Sequence, residues 1–411
     1  MARIVFVGDD FTGASDTLAT LAERGATVRL FLDAPDETEA EGLDAVGIAT
    51  DLRTRSPEEI AARLNSLAPA IGRLSPRFVH YKVCSTFDSA PHVGSIGAAV
   101  QALEDALAPP HTIILGGQPS LGRHCVFGTL FARGPDGAVH RIDRHPVMSR
   151  HPVTPMDEAD LRRHLLRQGL ADIDLVDCDR LRSTANDAAD AWRPGRTLVD
   201  ALDQSDIERT GRILREISGA PQLVVGASGV AEALWPSAPD RSPAAAAWHA
   251  PGPRLVVAGS RSSVTAAQVA AASSYERLPL DRADLAGQAR FAARCAGLLG
   301  AGRNVMVHLR PDLDYGRTSA ALSDWLAELT HSILLPQPVA AVAIAGGDTS
   351  STVVKRLGFR SLSFVDRAGA GVAVCRGHLA GSPVDGTVLL LKGGQVGDVD
   401  VFERFAAASA N

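Results

Sequence analysis

Lysine is nearly missing from this chain. Only Lys82, Lys355 and Lys392 occur in 411 residues, against 38 arginines. Such a bias follows base composition in the coding DNA and has no functional meaning alone. Where a lysine persists, however, a compact ammonium suits a tight anion contact that a guanidinium would overfill. Cysteine is also scarce: Cys84, Cys125, Cys178, Cys295 and Cys375 are odd in number, scattered and never spaced Cys-x-x-Cys. That pattern excludes a disulfide framework and a zinc ligand set, leaving reduced thiols. No apolar run approaches the roughly 20 residues that span a bilayer, and the start Met-Ala-Arg-Ile lacks a signal-peptide core, so a cytoplasmic location is expected. An excess of positive charge is lacking too. The formal net charge of −6 offers no basic face to nucleic acid and no polybasic patch to a membrane. A homo-oligomer is compatible with this composition and not required by it.

What is present is an α/β pattern. At this length one core is too few, and two or three domains are expected. Ile4 to Val7 is an apolar run fit for a buried strand, stopping at Gly8, Asp9 and Asp10. Ala14, Leu18, Leu21 and Ala22 then recur at helical spacing, and Val28 to Leu32 begins a second strand, completing a β-α-β unit. Ligands in open α/β sheets bind at the carboxyl ends of strands, so Asp9 and Asp10 form a candidate site. The competing reading is acids that merely cap a helix N-terminus.

Ala45 to Ala49 is a further strand, and Ser56, Pro57 and Glu59 open a helix with a capping box. Phe78 to Val83 runs into Lys82, Cys84, Ser85, Thr86 and Asp88, a second polar cluster at a strand end. Thr112 to Leu115 stops at Gly116 and Gly117, with Arg123 in the loop beyond. From Gly134 to Pro155, Gly, Pro, His and Arg dominate and irregular backbone is expected; the spacing of His140, His145 and His151 fits no common metal pair, so no metal site is assigned.

Pro236 to Pro253 has five prolines, an alanine run and no periodicity, and reads as a linker between domains 1–235 and 254–411. Beyond it, three strands end in glycine-bearing loops: Leu255–Ala258 in Gly259-Ser260, Val339–Ala345 in Gly346-Gly347-Asp348-Thr349, and Val388–Leu391 in Lys392-Gly393-Gly394. Glycine lets backbone N–H groups approach an anion, and a nucleotide's phosphates would satisfy all three loops together. Neither a P-loop nor a dinucleotide fingerprint is present.

Val7-Gly-Asp-Asp-Phe-Thr-Gly-Ala-Ser-Asp16, Gly259-Ser-Arg-Ser-Ser-Val-Thr265, Ala345-Gly-Gly-Asp-Thr-Ser350 and Leu391-Lys-Gly-Gly-Gln-Val-Gly397 resemble, in this order, the four-carbon acid sugar kinase family, once a domain of unknown function. The resemblance implies an α/β protein of two domains, each with a central sheet flanked by helices, and an active site in the interdomain cleft. It implies an N-terminal sugar-acid domain, a C-terminal ATP domain and transfer of the γ-phosphoryl group to a hydroxyl of a small sugar acid. Carried over by residue, it assigns Asp9 and Asp10 to the substrate site, and Gly122-Arg123 to the substrate domain. It assigns Ser260, Gly346, Gly347, Asp348, Thr349, and Gly393 or Gly394 to ATP.

One stretch departs from the family. Where common members read Lys-x-Asp-Ser-Thr-Leu-Arg-Gly-Asn, this chain reads Lys82-Val-Cys-Ser-Thr-Phe-Asp88-Ser, keeping Lys82, Ser85 and Thr86. An anion stands where relatives carry a cation, which puts threonate in doubt and favours a branched or oxidised acid such as 3-oxo-isoapionate. Phosphoryl transfer needs alignment and charge neutralisation. Lys82 and Arg123 are therefore expected to hold the carboxylate, Asp9, Asp10 and Ser85 to contact the substrate, and Asp10 to accept the proton. Mg²⁺ would bridge the ATP phosphates near Asp348, with domain closure completing the site. Two rivals remain: an aspartyl-phosphate phosphatase, for which the second acid comes one position early, and a non-enzymatic sensor of sugar acids.

Overall fold

The computed structural model describes residues 3–183, 192–237, 250–369 and 371–408. The chain divides into two compact units, Met1–Pro243 and Ala244–Asn411. Residues 238–249 of the expected linker lie outside the described residues.

The strands of the first unit are β1 (Ile4–Gly8), β2 (Val28–Phe31), β3 (Ala45–Ala49), β4 (Phe78–Lys82), β5 (His111–Leu115), β6 (Arg123–Val126), β7 (Thr129–Arg133), β8 (Val139–Arg141), β9 (Ile173–Val176), β10 (Gly195–Val199) and β11 (Gln222–Gly226). Its helices are α1 (Phe11–Glu23), α2 (Pro57–Arg73), α3 (Ile96–Leu107), α4 (Leu161–Leu166), α5 (Cys178–Ser183), α6 (Gln204–Glu216) and α7 (Gly229–Leu234). Eight strands form a parallel sheet in the order β2-β3-β1-β4-β11-β5-β10-β9. Strands buried on both faces need continuous apolar runs, and β1, β3, β4, β5 and β11 are buried along their whole length. Helix α2 begins with the expected capping box: Ser56 Oγ accepts from the Glu59 N–H, and the Glu59 carboxylate from the Ser56 N–H.

Two expectations need correction. Arg123 does not sit in a loop; it opens β6, and β6-β7-β8 form a small antiparallel sheet reaching into the stretch expected to be irregular. Gly128 and Gly137, both at φ +78°, turn the chain between these strands, so glycine there marks hairpins.

The second unit contains β12 (Arg254–Ala258), β13 (Glu276–Pro279), β14 (Val305–His308), β15 (Ala341–Ala345), β16 (Ser361–Gly369), β17 (Val372–His378) and β18 (Val388–Lys392). Helices α8 (Ser263–Ala271), α9 (Arg282–Ala286), α10 (Gln288–Gly300), α11 (Ser319–Leu334), α12 (Gly347–Arg356) and α13 (Val401–Ala407) accompany them. The strand order is β13-β14-β12-β15-β18-β17-β16, parallel as far as β18 and antiparallel beyond. The β16–β17 pair was not anticipated. Its pairing is with a strand, β18, that comes later in the chain.

Candidate functional site

A parallel sheet opens a crevice where its strand order reverses. In the first unit this happens at β1: the chain fills β2 and β3 on one side, then crosses to β4 on the other. Asp9 and Asp10 follow β1, Lys82 ends β4, and Gly8 lies in register with Lys82. A methyl group on Gly13 would sit 2.5 Å from Lys82 Nζ and 2.6 Å from Asp10 Oδ1, so glycine there lets both charged tips converge.

The two acids have different jobs. Asp10 is the N-cap of α1, with Oδ1 accepting from the Gly13 N–H at 2.8 Å, so the capping reading is correct for this residue. Its Oδ2 lies 3.0 Å from an Arg53 nitrogen, and the side chain is 27% exposed. Asp9 is buried and takes both arms of the Arg53 fork, at 2.8 Å and 3.1 Å. Burial pushes the Asp9 carboxyl up while Arg53 pulls it down, and burial prevails. Burial likewise works against the Arg53 charge, but Asp10 and Asp9 outweigh it and raise Arg53 well above the ordinary arginine value.

Arg53 was missed from sequence. It stands on a short 3-10 turn, Leu52–Thr54, after β3, and its N–H bonds to the Asp9 carbonyl at 2.9 Å. The available signal was its position just past a strand's carboxyl end, beside Thr50 and Asp51.

Lys82 is buried, with Nζ donating to the Val83 carbonyl at 2.8 Å. Ser85 is half-buried in the turn after β4. Asp88 is buried and accepts from Thr86 Oγ1 at 2.7 Å, while Cys84 Sγ lies 3.0 Å from the same hydroxyl. Burial, then Asp88, pushes the Cys84 thiol up to about 11, so it is neutral at physiological pH. Arg123 donates to the Leu121 carbonyl, but its Nε is buried without a partner, and no carboxylate pairs with it among the described residues. Burial lowers its pKa, and the Cys84 sulfur is the titratable group it feels.

In the second unit the order reverses at β12, whose neighbours are β14 and β15. The three glycine loops meet there. Ser260 N donates to the Ala345 carbonyl at 3.0 Å, and Gly346 N to the Lys392 carbonyl at 2.9 Å. Thr265 Oγ1 donates to the Gly394 carbonyl at 2.9 Å, and Ser262 Oγ does the same. A methyl on Gly394 would run into Ser260 Oγ, and one on Gly259 into Thr349 Oγ1. Gly346 holds φ +124°, a conformation that suits glycine, and it caps α12. Gly347 and Asp348 open that helix, with Asp348 exposed and Thr349 buried. Gly393 is half-buried directly after β18.

A cavity of about 460 Å³ adjoins Ser260, lined by Ala266, Val269, Pro279, His308 and Leu309. Burial lowers the His308 pKa, so that ring is neutral. No motif announces this slot, because its walls come from α8 and the ends of β13 and β14. The loops fit a polyphosphate, since each close approach needs a missing Cβ, and the slot fits a flat apolar base. Asp348 is an exposed carboxylate at the start of α12, an oxygen ligand of the kind that suits a hydrated Mg²⁺.

Known proteins are similar to this chain along nearly its whole length. Residues 4–234 match a sugar-binding N-terminal domain and residues 255–402 a nucleotide-binding C-terminal domain. A 3-oxo-isoapionate kinase of Paraburkholderia graminis is 34% identical, the match covering 97% of this chain and 93% of the relative. A 3-oxo-tetronate kinase of Methylobacterium radiotolerans is 31% identical over 97% of each chain. A crystal structure from Salmonella typhimurium LT2, provisionally described as a tRNA synthase, matches with a TM-score of 0.82 and 25% identity over 98% of each chain.

Proposed function

The chain belongs to the four-carbon acid sugar kinase family and is an ATP-dependent sugar-acid kinase, and we propose that its acceptor is a branched or oxidised acid of the 3-oxo-isoapionate type. One observation carries the substrate reading. Asp88 stands buried where the motif of the family that the sequence resembles has an arginine, Arg53 is committed to Asp9 and Asp10, and Arg123 has a buried Nε with no partner among the described residues. The named activity of the 34% identical relative supports it.

Arg123 and Lys82 hold the substrate carboxylate, and Ser85 contacts a hydroxyl. Asp10, the more exposed acid, accepts the proton of the attacking hydroxyl. Asp9 works through Arg53, fixing the guanidinium beside Asp10. Ser260, Gly346, Gly347, Thr349, Gly393 and Gly394 receive the ATP phosphates, and the apolar slot beside Ser260 receives the adenine. Asp348 would hold a Mg²⁺ ion, which would supply neutralisation of the phosphate charge. In-line transfer requires that acceptor hydroxyl and γ-phosphate meet with water excluded.

A phosphatase nucleophile at Asp9 is disfavoured, because both of its oxygens are held by Arg53. The test is an ATP-consumption screen over four- and five-carbon sugar acids, with oxo and branched members included. The highest kcat/KM is expected for a branched oxo acid and a much lower one for threonate. Equal or better turnover of threonate would overturn the substrate assignment, and phosphate release without nucleotide would overturn the reaction class.

A further inference from the structure

Lys82 and Lys392 are both buried lysines at strand ends, in different electrical company. Asp9 feels the charge of Lys82. Lys392 is 1% exposed, and no carboxylate pairs with it among the described residues. Its ammonium donates to the Gly393 carbonyl at 2.8 Å and to Thr265 Oγ1 at 3.2 Å. Thr265 Oγ1 passes the donation on to the Gly394 carbonyl, which also accepts from Ser262 Oγ.

Every donor in this chain pulls a carbonyl of the Gly393–Gly394 segment inward. In a trans peptide the C=O and N–H point in opposite directions, so each carbonyl turned inward turns the next N–H outward. The N–H groups concerned are those of Gly394 and Gln395, and neither meets an acceptor among the described residues. Gln268 fastens the far side of the loop, its Nε2 lying 2.9 Å from the Gly397 carbonyl.

We infer that Lys392 is a positioning residue of the nucleotide site: its ammonium orients the Gly393–Gly394 loop so that two N–H groups face the ATP phosphates, whose charge serves as its counter-ion. This rests on the second unit being the ATP site. A buried ammonium among neutral acceptors is costly, and a polyphosphate brought beside it removes that cost. Burial alone lowers Lys392 to about 8. The surrounding elements supply little competing charge. Helix α8 carries no titratable side chain; Asp348 on α12 is exposed; and Asp398 pairs with Arg404. Cys375, Arg376 and His378 of β17 lie toward the strand end opposite the Val372–Lys392 pair.

The sign of the pH dependence follows. Below about 8 the ammonium is charged and ATP binds fully; as pH rises through that value the charge, and the affinity, are lost. The experiment measures Mg-ATP affinity by calorimetry for the full chain and for Lys392→Met, Lys392→Gln and Thr265→Val at pH 7 and pH 9. The wild type should weaken about tenfold between the two, while K392M should be about tenfold weaker at pH 7 and flat with pH. KM for the sugar acid should not move. Without nucleotide the effect reverses: the folded value lies below the unfolded one, so thermal stability of the wild type should rise from pH 8 to 10 relative to K392M.

K392M and K392Q binding ATP within twofold of wild type, with the same pH slope, would overturn the inference while leaving the kinase reading intact. If the wild type itself binds no ATP, the kinase reading falls as well. Should neither Lys392 variant fold, T265V decides, because cutting the relay must weaken ATP severalfold without touching the ammonium's burial.

Discussion

The two strand-end sites are made of different materials. In the first unit the work is done by charged side chains locked in pairs: Asp9 with Arg53, Asp10 with Arg53 and the start of α1. In the second it is done by main chain, with glycines at 259, 346 and 394 bringing three loops into contact. Side-chain sites can change their ligand by exchanging one charge, which is the role proposed for Asp88. Main-chain sites read what every nucleotide shares, and their tolerance is set by space.

That difference can be broken by substitution, and the largest effect should come from the base. Asp10→Asn should lower kcat by about 10²- to 10⁴-fold with ATP affinity unchanged in a direct binding assay. Retained turnover would move the base to Asp9 or to a water. Next, Arg53→Gln should cost about 3–5 kcal/mol of stability in urea unfolding, because it strands the buried Asp9 carboxylate. The loss should be smaller at about pH 5 than at about pH 8, since a carboxyl whose folded value is raised loses stability as pH climbs and regains it on protonation.

Smaller effects sharpen the contrast. Arg123→Gln should raise KM for the sugar acid by about 10- to 100-fold, the worth of a charged hydrogen bond, and leave KM for ATP alone. Gly394→Ala should do the converse, weakening ATP about tenfold through overpacking against Ser260, with the sugar-acid KM unmoved. If both variants shifted both constants equally, the sites would not be separable as described.

How far the site was legible follows the same division. Local signals were read well: the β1 run and its two acids, the Ser56–Glu59 box, and three glycine loops each visible within a few residues. What failed was non-local. Arg53 lies 44 residues from Asp9, and nothing in Leu52-Arg53-Thr54 states which acids it will face. β6 to β8 are short strands that exist only by pairing with one another, and β17 only between β16 and a strand still to come. The apolar slot beside Ser260 has no sequence period at all, since its walls come from separate elements. Asp9 and Asp10 show the remaining difficulty: identical neighbours in sequence, they were sorted into an Arg53 partner and a helix cap only by the geometry around them.

The small antiparallel sheet β6-β7-β8 has an implication for how such enzymes diversify. It is inserted between β5 and α4, outside the order of the main sheet, and Arg123 is its first residue. Asp200, on the main body after β10, pins its first hairpin through the N–H groups of Phe127 and Gly128. Under the proposed assignment, the residue that contacts the sugar acid rides on a hairpin held to the main body by Asp200 and by the Cys125 N–H on the Ala201 carbonyl. Descendants could exchange or reshape that hairpin, acquiring a new acid to phosphorylate, while the parallel scaffold and the nucleotide loops are inherited untouched.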